Sequence, residues 1–260
     1  MLPAPAYVIS DSHLGFATRD VERSMIRFLR HLPGRAGSLV INGDLFEFWF
    51  EWRHVIPRPA FRVLAAIADV RDAGIPVLMV AGNHDCWGGE ILRDDVGIDF
   101  RDKPWEGTLA GWRTRVEHGD GLRKEDSGYR ALRRVLRNPV AIRLFRWLHP
   151  DLGSALATRT SHTSRTYQAR DGGAGLRAAA AKRFEESPEL QLLIYGHSHV
   201  AELVRMERSH GIYANAGSWL DRPTFLRVQP DRIDLQRWDD GSNEGVNLHS
   251  IDRIAEKAVT

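Results

Sequence analysis

Pro76-Val77-Leu78-Met79-Val80-Ala81 runs straight into Gly82-Asn83-His84-Asp85. The first six residues read as a short buried strand, and the next four as a turn rich in metal-ligand side chains. Working outward, four more runs end the same way. AYVIS leads into Asp11-Ser12-His13, SLVIN into Gly43-Asp44, RTRVE into His118-Gly119-Asp120, and LQLLIY into Gly196-His197-Ser198-His199. In layered α/β folds, sites form beyond the carboxyl ends of the strands. Five clusters that obey this rule in one chain predict a single site at one sheet edge.

The segments between the runs fit such layers. Residues 6–10 and 38–43 read as strands, and Asp20 is read as the cap of the helix between them. Met25, Phe28, Leu29 and Leu32 supply its apolar face before Pro33-Gly34 stops it. A second helix is expected over 59–73, ended by Gly74, with a strand over 76–81. Residues 108–118 read as a hairpin around Ala110-Gly111, and 121–185 as mostly helical. Breaks fall at Asn138-Pro139, His149-Pro150-Asp151 and Asp171-Gly172-Gly173. Strands resume at 190–196, 201–208, 211–215, 224–228 and 232–238, and no element is read beyond them. The simplest organisation is one domain over 1–260 with a helical cap inserted at about 121–185.

Composition narrows the class. At 260 residues, 43% hydrophobic and 27% charged, the chain can bury one sizeable core. Its one cysteine, Cys86, cannot form an internal disulfide and reads as a small buried residue. No signal peptide or spanning run is visible, so a cytoplasmic protein is expected, at most resting on a membrane surface. Residues 121–185 carry 14 Lys and Arg against 5 Asp and Glu, a local +9 in a chain of net +2. That segment is either a solvated helix surface or a face for an anionic partner.

Imidazole, carboxylate and amide donors together suit Mn²⁺, Zn²⁺, Fe or Co. Residues 11 and 13 point the same way once the strand ends, as do His197 and His199. Gly43, Gly82, Gly119 and Gly196 permit tight turns and close backbone approach beside them.

The ordered set Asp-x-His, Gly-Asp, Gly-Asn-His-Asp, His and Gly-His-x-His resembles the calcineurin-like metallophosphoesterase superfamily. The resemblance implies a four-layer α/β/β/α sandwich and two divalent metals, most commonly Mn²⁺, with Fe, Zn or Co as alternatives. Carried over, one metal takes Asp11, His13, Asp44 and His199, and the other Asp44, Asn83, His118 and His197. A hydroxide shared by the metals is then the nucleophile. His84 is expected to protonate the leaving oxygen or stabilise its charge, with Asp85 fixing its ring. The plainer role for His84 is a structural hydrogen bond.

The softer motifs are Gly43 to Trp52, Asp126-Ser127-Gly128-Tyr129-Arg130, Leu144 to Pro150 and Asn215-Ala216-Gly217-Ser218-Trp219. With the inserted cap, they resemble the UDP-2,3-diacylglucosamine diphosphatases of lipid A assembly. This implies hydrolysis of a nucleotide-linked glycolipid to 2,3-diacylglucosamine 1-phosphate and UMP. It also implies peripheral attachment to the anionic cytoplasmic face of the inner membrane. Asn83, His84, Asp126, Tyr129, Ser164, Arg165 and His197 become the expected substrate contacts. The best-known branch has Arg after the metal-binding Asn, where this chain has His84. The aromatic run after Asp44 reads first as core packing and second as a wall for acyl chains or uracil. A different phosphoesterase on the same core, acting on nucleic acid, nucleotide or phosphoprotein, is the alternative. A nucleic-acid partner is not expected, because the cap carries an apolar stripe rather than aromatics along a basic groove.

Overall fold

The computed structural model describes residues 1–123, 127–156 and 171–254, apart from the side chains of Ser127, Tyr129 and Leu132. Two sheets carry the architecture. The first is 7-stranded, and its centre is the parallel run β1 (Ala6–Ile9), β2 (Ser38–Asn42), β3 (Val77–Val80) and β4 (Asp99–Arg101). The antiparallel strands β10 (Thr224–Val228), β11 (Arg232–Asp239) and β12 (Glu244–Asp252) extend it beyond β1. The second is 5-stranded, in the order β5 (Trp105–Leu109), β6 (Trp112–Val116), β7 (Leu192–Tyr195), β9 (Ile212–Asn215) and β8 (Glu202–Arg205).

Alternation along the strands builds the layers. Tyr7, Ile9, Leu39, Ile41, Val77 and Met79 join one apolar cluster with Met25, Phe28 and Leu29 of α1 (Arg19–His31) and Val63 and Ile67 of α2 (Phe61–Asp72). Their neighbours Ala6, Val8, Val40, Leu78 and Val80 point the other way. These meet Val116, Leu192, Ile194, Ile212 and Ala214 of the second sheet. On that sheet's far face, Leu193, Tyr195 and Tyr213 pack on Leu176, Ala180 and Phe184 of α5 (Ala174–Glu186). The spacing of four on α5 sets those three residues on one stripe. Three apolar seams thus separate four layers, α/β/β/α. Strands buried on both faces tolerate no polar alternation, which is why β1, β2 and β3 read as continuous apolar runs.

The structure corrects several boundaries. Thr18, not Asp20, caps α1: its side chain accepts from Val21 N at 3.4 Å, and Asp20 lies inside the first turn. An acidic residue there complements the helix dipole rather than closing the end. Strands β4 and β12 were not expected. Strand β12 is mostly exposed and carries polar residues on both faces, so no alternation marks it. Between β6 and α5 lie α3 (Ser127–Leu136), α4 (Pro139–Phe145) and helical residues 150–156.

Candidate metal centre

All five clusters follow the carboxyl ends of strands that run parallel within their sheets: β1, β2 and β3 in one, β6 and β7 in the other. The two edges meet. His118 Nε2, from the second sheet, lies 3.2 Å from Asp44 Oδ2 of the first, and His197 N donates to Asp11 Oδ2 at 3.1 Å. Around them close three groups whose donor atoms lie within 4.8 Å of one another: Asp11–His13–His199, His13–Asp44–His84 and Asp44–His118–His197. Asp44 Oδ2 sits among their imidazoles, 3.2 Å from His118 Nε2, 3.9 Å from His13 Nε2 and 4.0 Å from His84 Nε2.

The ligands are aimed by an unusual backbone. Asp11, His13, Asp44, His197 and His199 all have positive φ, between 45° and 62°. An L-residue in this region costs about 1–3 kcal/mol and persists only when its surroundings fix it. Here the loops fix one another: Asp11 N donates to Gly43 O, and Ser12 N and His13 N both donate to Asp44 O, at 2.9–3.1 Å. This left-handed turning, rather than simple two-residue alternation, brings Asp11 and His13 to one side. Gly82 is required for closeness: a Cβ there would fall 2.6 Å from Asp44 N.

Hydrogen bonds set the tautomers. His118 Nδ1 donates to the Asn42 carbonyl at 2.8 Å, and His84 Nδ1 donates to the Glu47 carbonyl at 2.9 Å. His13 Nδ1 donates to Glu47 Oε2 at 3.1 Å, and His199 Nδ1 to Asp221 Oδ2 at 2.7 Å. Each ring therefore presents Nε2 to the cluster, as a metal-binding histidine held by an outer acceptor does. Burial drives the His13 and His197 imidazoles down to about 4, which keeps them neutral. Burial also opposes charge on His118, but the adjacent Asp44 outweighs it and raises that ring well above its usual value. In return, His118 and His84 hold the buried Asp44 well below the carboxylate range. A cation bound at His118 Nε2 would take the place of the proton that Asp44 favours on this ring.

The residues fit such a cation. Asp11 Oδ1, Asp44 Oδ2, Asn83 Oδ1 and His118 Nε2 are buried without a hydrogen bond of good geometry. Buried polar atoms left in this way are costly, and His118 Nε2 within 4.0 Å of both Asp11 Oδ1 and Asp44 Oδ2 calls for a shared cationic partner. Nitrogen and oxygen donors without thiolate match Mn²⁺, Fe, Co or Zn²⁺.

Six of the expected ligands, Asp11, His13, Asp44, His118, His197 and His199, share these donor groups with His84, and Asn83 precedes His84 on its loop with Oδ1 buried. Asp85 does not orient His84. Its carboxylate accepts from Leu45 N and Gly82 N, both at 2.8 Å, and pins two ligand loops together. Burial, then the charge of Asp44, raises it to about 6. Asp126, Ser164 and Arg165 lie outside the described residues, as does the side chain of Tyr129. Asn42, Glu47 and Asp221 were missed, because nothing in their local sequence distinguishes a residue that orients a ligand. Cys86 packs against the first apolar seam, and burial pushes its thiol up to about 12.

An aromatic wall adjoins the centre. Phe48, Phe50 and Trp52, after Asp44, and Trp87, after Asp85, meet Phe145 of α4 with ring centroids 4.8–6.2 Å apart. Phe46, Trp49 and Phe50 are fully buried, as core packing predicts, while Phe48 faces the helical segment. Trp52 Nε1 donates to Leu148 O at 3.1 Å and Trp87 Nε1 to Leu136 O at 2.6 Å. Glu51, between those aromatics, accepts from the backbone of Gly89, Ile91 and Leu92.

Comparison with known proteins gives the family. The family described as calcineurin-like phosphoesterase matches residues 4–201. A UDP-2,3-diacylglucosamine hydrolase of Porphyromonas gingivalis is 30% identical over 216 residues, covering 75% of this chain and 82% of that one. The enzyme of the same name from Salmonella arizonae is 28% identical over 242 residues, covering 87% and 96%. Among solved structures, a predicted phosphoesterase of Streptococcus pneumoniae aligns over 95% of this chain and 97% of its own, at 13% identity and a TM-score of 0.45. With its four layers and its ordered ligand clusters, the chain belongs to the calcineurin-like phosphoesterase family, the metal-dependent hydrolases of phosphate esters.

Proposed function

We propose that this chain hydrolyses the pyrophosphate of UDP-2,3-diacylglucosamine to 2,3-diacylglucosamine 1-phosphate and UMP, with Mn²⁺ as its working metal. Asp11, His13, Asp44 and His199 hold one cation, and Asp44, Asn83, His118 and His197 the other. When bound, the pair supplies an activated water and neutralises phosphoryl charge. The chain's own residues do the rest. His84, its ring held by Nδ1 donating to Glu47 O, faces the leaving oxygen through Nε2 and protonates it or stabilises its charge. Asn83, His84 and His197 stand closest to the phosphates. Asp126, Tyr129, Ser164 and Arg165 are assigned to the substrate by resemblance alone.

One observation carries the lipid assignment: an amphipathic helical segment is fastened to the aromatic wall beside the centre. Val135, Val140, Leu144 and Leu152 are exposed on it, and Trp147 is 87% exposed. Arginines 134, 143 and 146 lie between them. Apolar side chains interleaved with cations suit acyl chains at an anionic surface. In this reading residues 121–185 form a cap that shelters the acyl chains, and the protein works on the cytoplasmic face of the inner membrane. Among the described residues, no helix is long and apolar enough to cross a membrane. The relatives so named, near 30% identity over most of the chain, support the same substrate.

The test is a comparison of Mn²⁺-loaded enzyme on UDP-2,3-diacylglucosamine, single-stranded DNA and an aryl phosphodiester. UMP release is expected to exceed the other two rates by orders of magnitude. Efficient cleavage of DNA or the aryl ester without UMP release would sink the lipid reading and leave the phosphoesterase intact.

A further inference from the structure

The loop after β9, Asn215-Ala216-Gly217-Ser218-Trp219-Leu220-Asp221, contributes none of the seven candidate ligands, yet it is tied to two of the segments that do. Asn215 Nδ2 donates to Gly196 O at 2.9 Å and to Ser198 Oγ at 3.1 Å, on either side of His197. Leu220 N and Ser218 Oγ both donate to the Asp11 carbonyl at 3.2 Å, and Trp219 N donates to Ser10 O at 3.2 Å. Asp221 N in turn donates to Ser218 Oγ at 3.2 Å. The loop therefore arrives at the centre already fixed in position, with Asp221 at its tip.

We propose that Asp221 is a positioning residue for His199, holding its ring so that Nε2 faces Asp11 and His13. The carboxylate accepts from His199 Nδ1 at 2.7 Å, while Nε2 lies 3.5 Å from Asp11 Oδ1 and 3.3 Å from His13 Nε2. A charged acceptor at that distance fixes the tautomer and makes the far nitrogen a stronger donor to a cation. The effect is local to one metal position. In the group Asp11–His13–His199 both imidazoles rest on carboxylates, Glu47 and Asp221. In the group Asp44–His118–His197 the His118 ring rests on a neutral carbonyl, that of Asn42. Asp221 is also replaceable, because its side chain is 60% exposed whereas His199 is 18% exposed. A change at 221 alters the charge behind a ligand without opening the core.

The inference rests on the two-metal reading, and calorimetric titration of metal-free protein with Mn²⁺ separates the two. Wild type should show two binding steps. Asp221→Ala should weaken one of them by about 10–100-fold and leave the other nearly unchanged. Asp221→Asn, which keeps an acceptor but loses the charge, should fall between. Asp221→Glu should recover most of the affinity. The melting temperature of each metal-free variant should match that of wild type. Unchanged affinity at both steps in Asp221→Ala overturns the positioning role. So does equal weakening of both steps with a lowered metal-free melting temperature, which marks a structural role. Failure of wild type to bind two cations would instead overturn the two-metal reading beneath it.

Discussion

His84 stands farther from the Asp44 carboxylate than His118 does. Its Nδ1 donates to the Glu47 carbonyl as His118 Nδ1 does to that of Asn42, but its Nε2 lies 4.0 Å from Asp44 Oδ2, where that of His118 lies 3.2 Å away. A ring set back in this way serves the leaving oxygen without being needed to hold a cation. His84→Ala should therefore lower kcat by about 10²–10⁴-fold while bound Mn²⁺ stays at the wild-type stoichiometry. Asp44→Asn should behave differently, because Asp44 belongs to two of the donor groups. It should lose metal and activity together, with an unchanged circular dichroism spectrum. Activity and elemental analysis on the same samples check both, and loss of metal in His84→Ala would reassign it as a ligand. At this scale the sequence was legible for donor side chains, whose types declare themselves. It was opaque for the acceptors behind them, since Asn42 acts through its backbone and Asp221 lies 22 positions from His199.

Elements declared themselves to the degree that burial patterned them. Strands β1, β2 and β3 are buried at every position, and their apolar runs were plain. Strand β12 has no buried face to pattern it, and the first turn of α1 offers both Thr18 and Asp20 as caps, which only geometry separates. The join between α3, α4 and the body lay beyond periodicity altogether. It depends on two indole N–H groups reaching carbonyls at Leu136 and Leu148, and on Phe145 entering the ring cluster of Phe48, Phe50, Trp52 and Trp87. Arg133 adds an ion pair to Asp120 at 3.3 Å, and Arg137 donates to Asp102 O at 2.6 Å. These contacts fasten the helices at their base. Phe145→Ala should loosen that base by roughly 1–3 kcal/mol. Hydrogen exchange should then speed up across residues 127–148 and stay slow in β1, β2, β3 and β7. Equal acceleration in the strands would show that the helices and sheets unfold as one unit, contrary to this division.

Across the whole molecule, stability and site chemistry pull in opposite directions. Three apolar seams join the four layers. The centre itself gathers Asp11, Asp44, Asp85 and four imidazoles at or near full burial, on a backbone with five left-handed residues. Such a cluster opposes folding until a cation compensates its charge. Removing metal should therefore lower stability without abolishing the fold, unlike small domains whose core is the metal itself. A cation present at about 100 times its Kd contributes about 2.7 kcal/mol, which for a domain of this size shifts Tm by roughly 5–10 °C. Chelation followed by a thermal melt should show that drop, with a cooperative transition retained and Mn²⁺ restoring the original Tm. The metal-free protein should also keep its far-ultraviolet spectrum, because the seams that produce it lie between layers rather than at the strand ends. Loss of cooperative melting on chelation would mean that the seams do not suffice and that the two sheet edges are held together by the metals themselves.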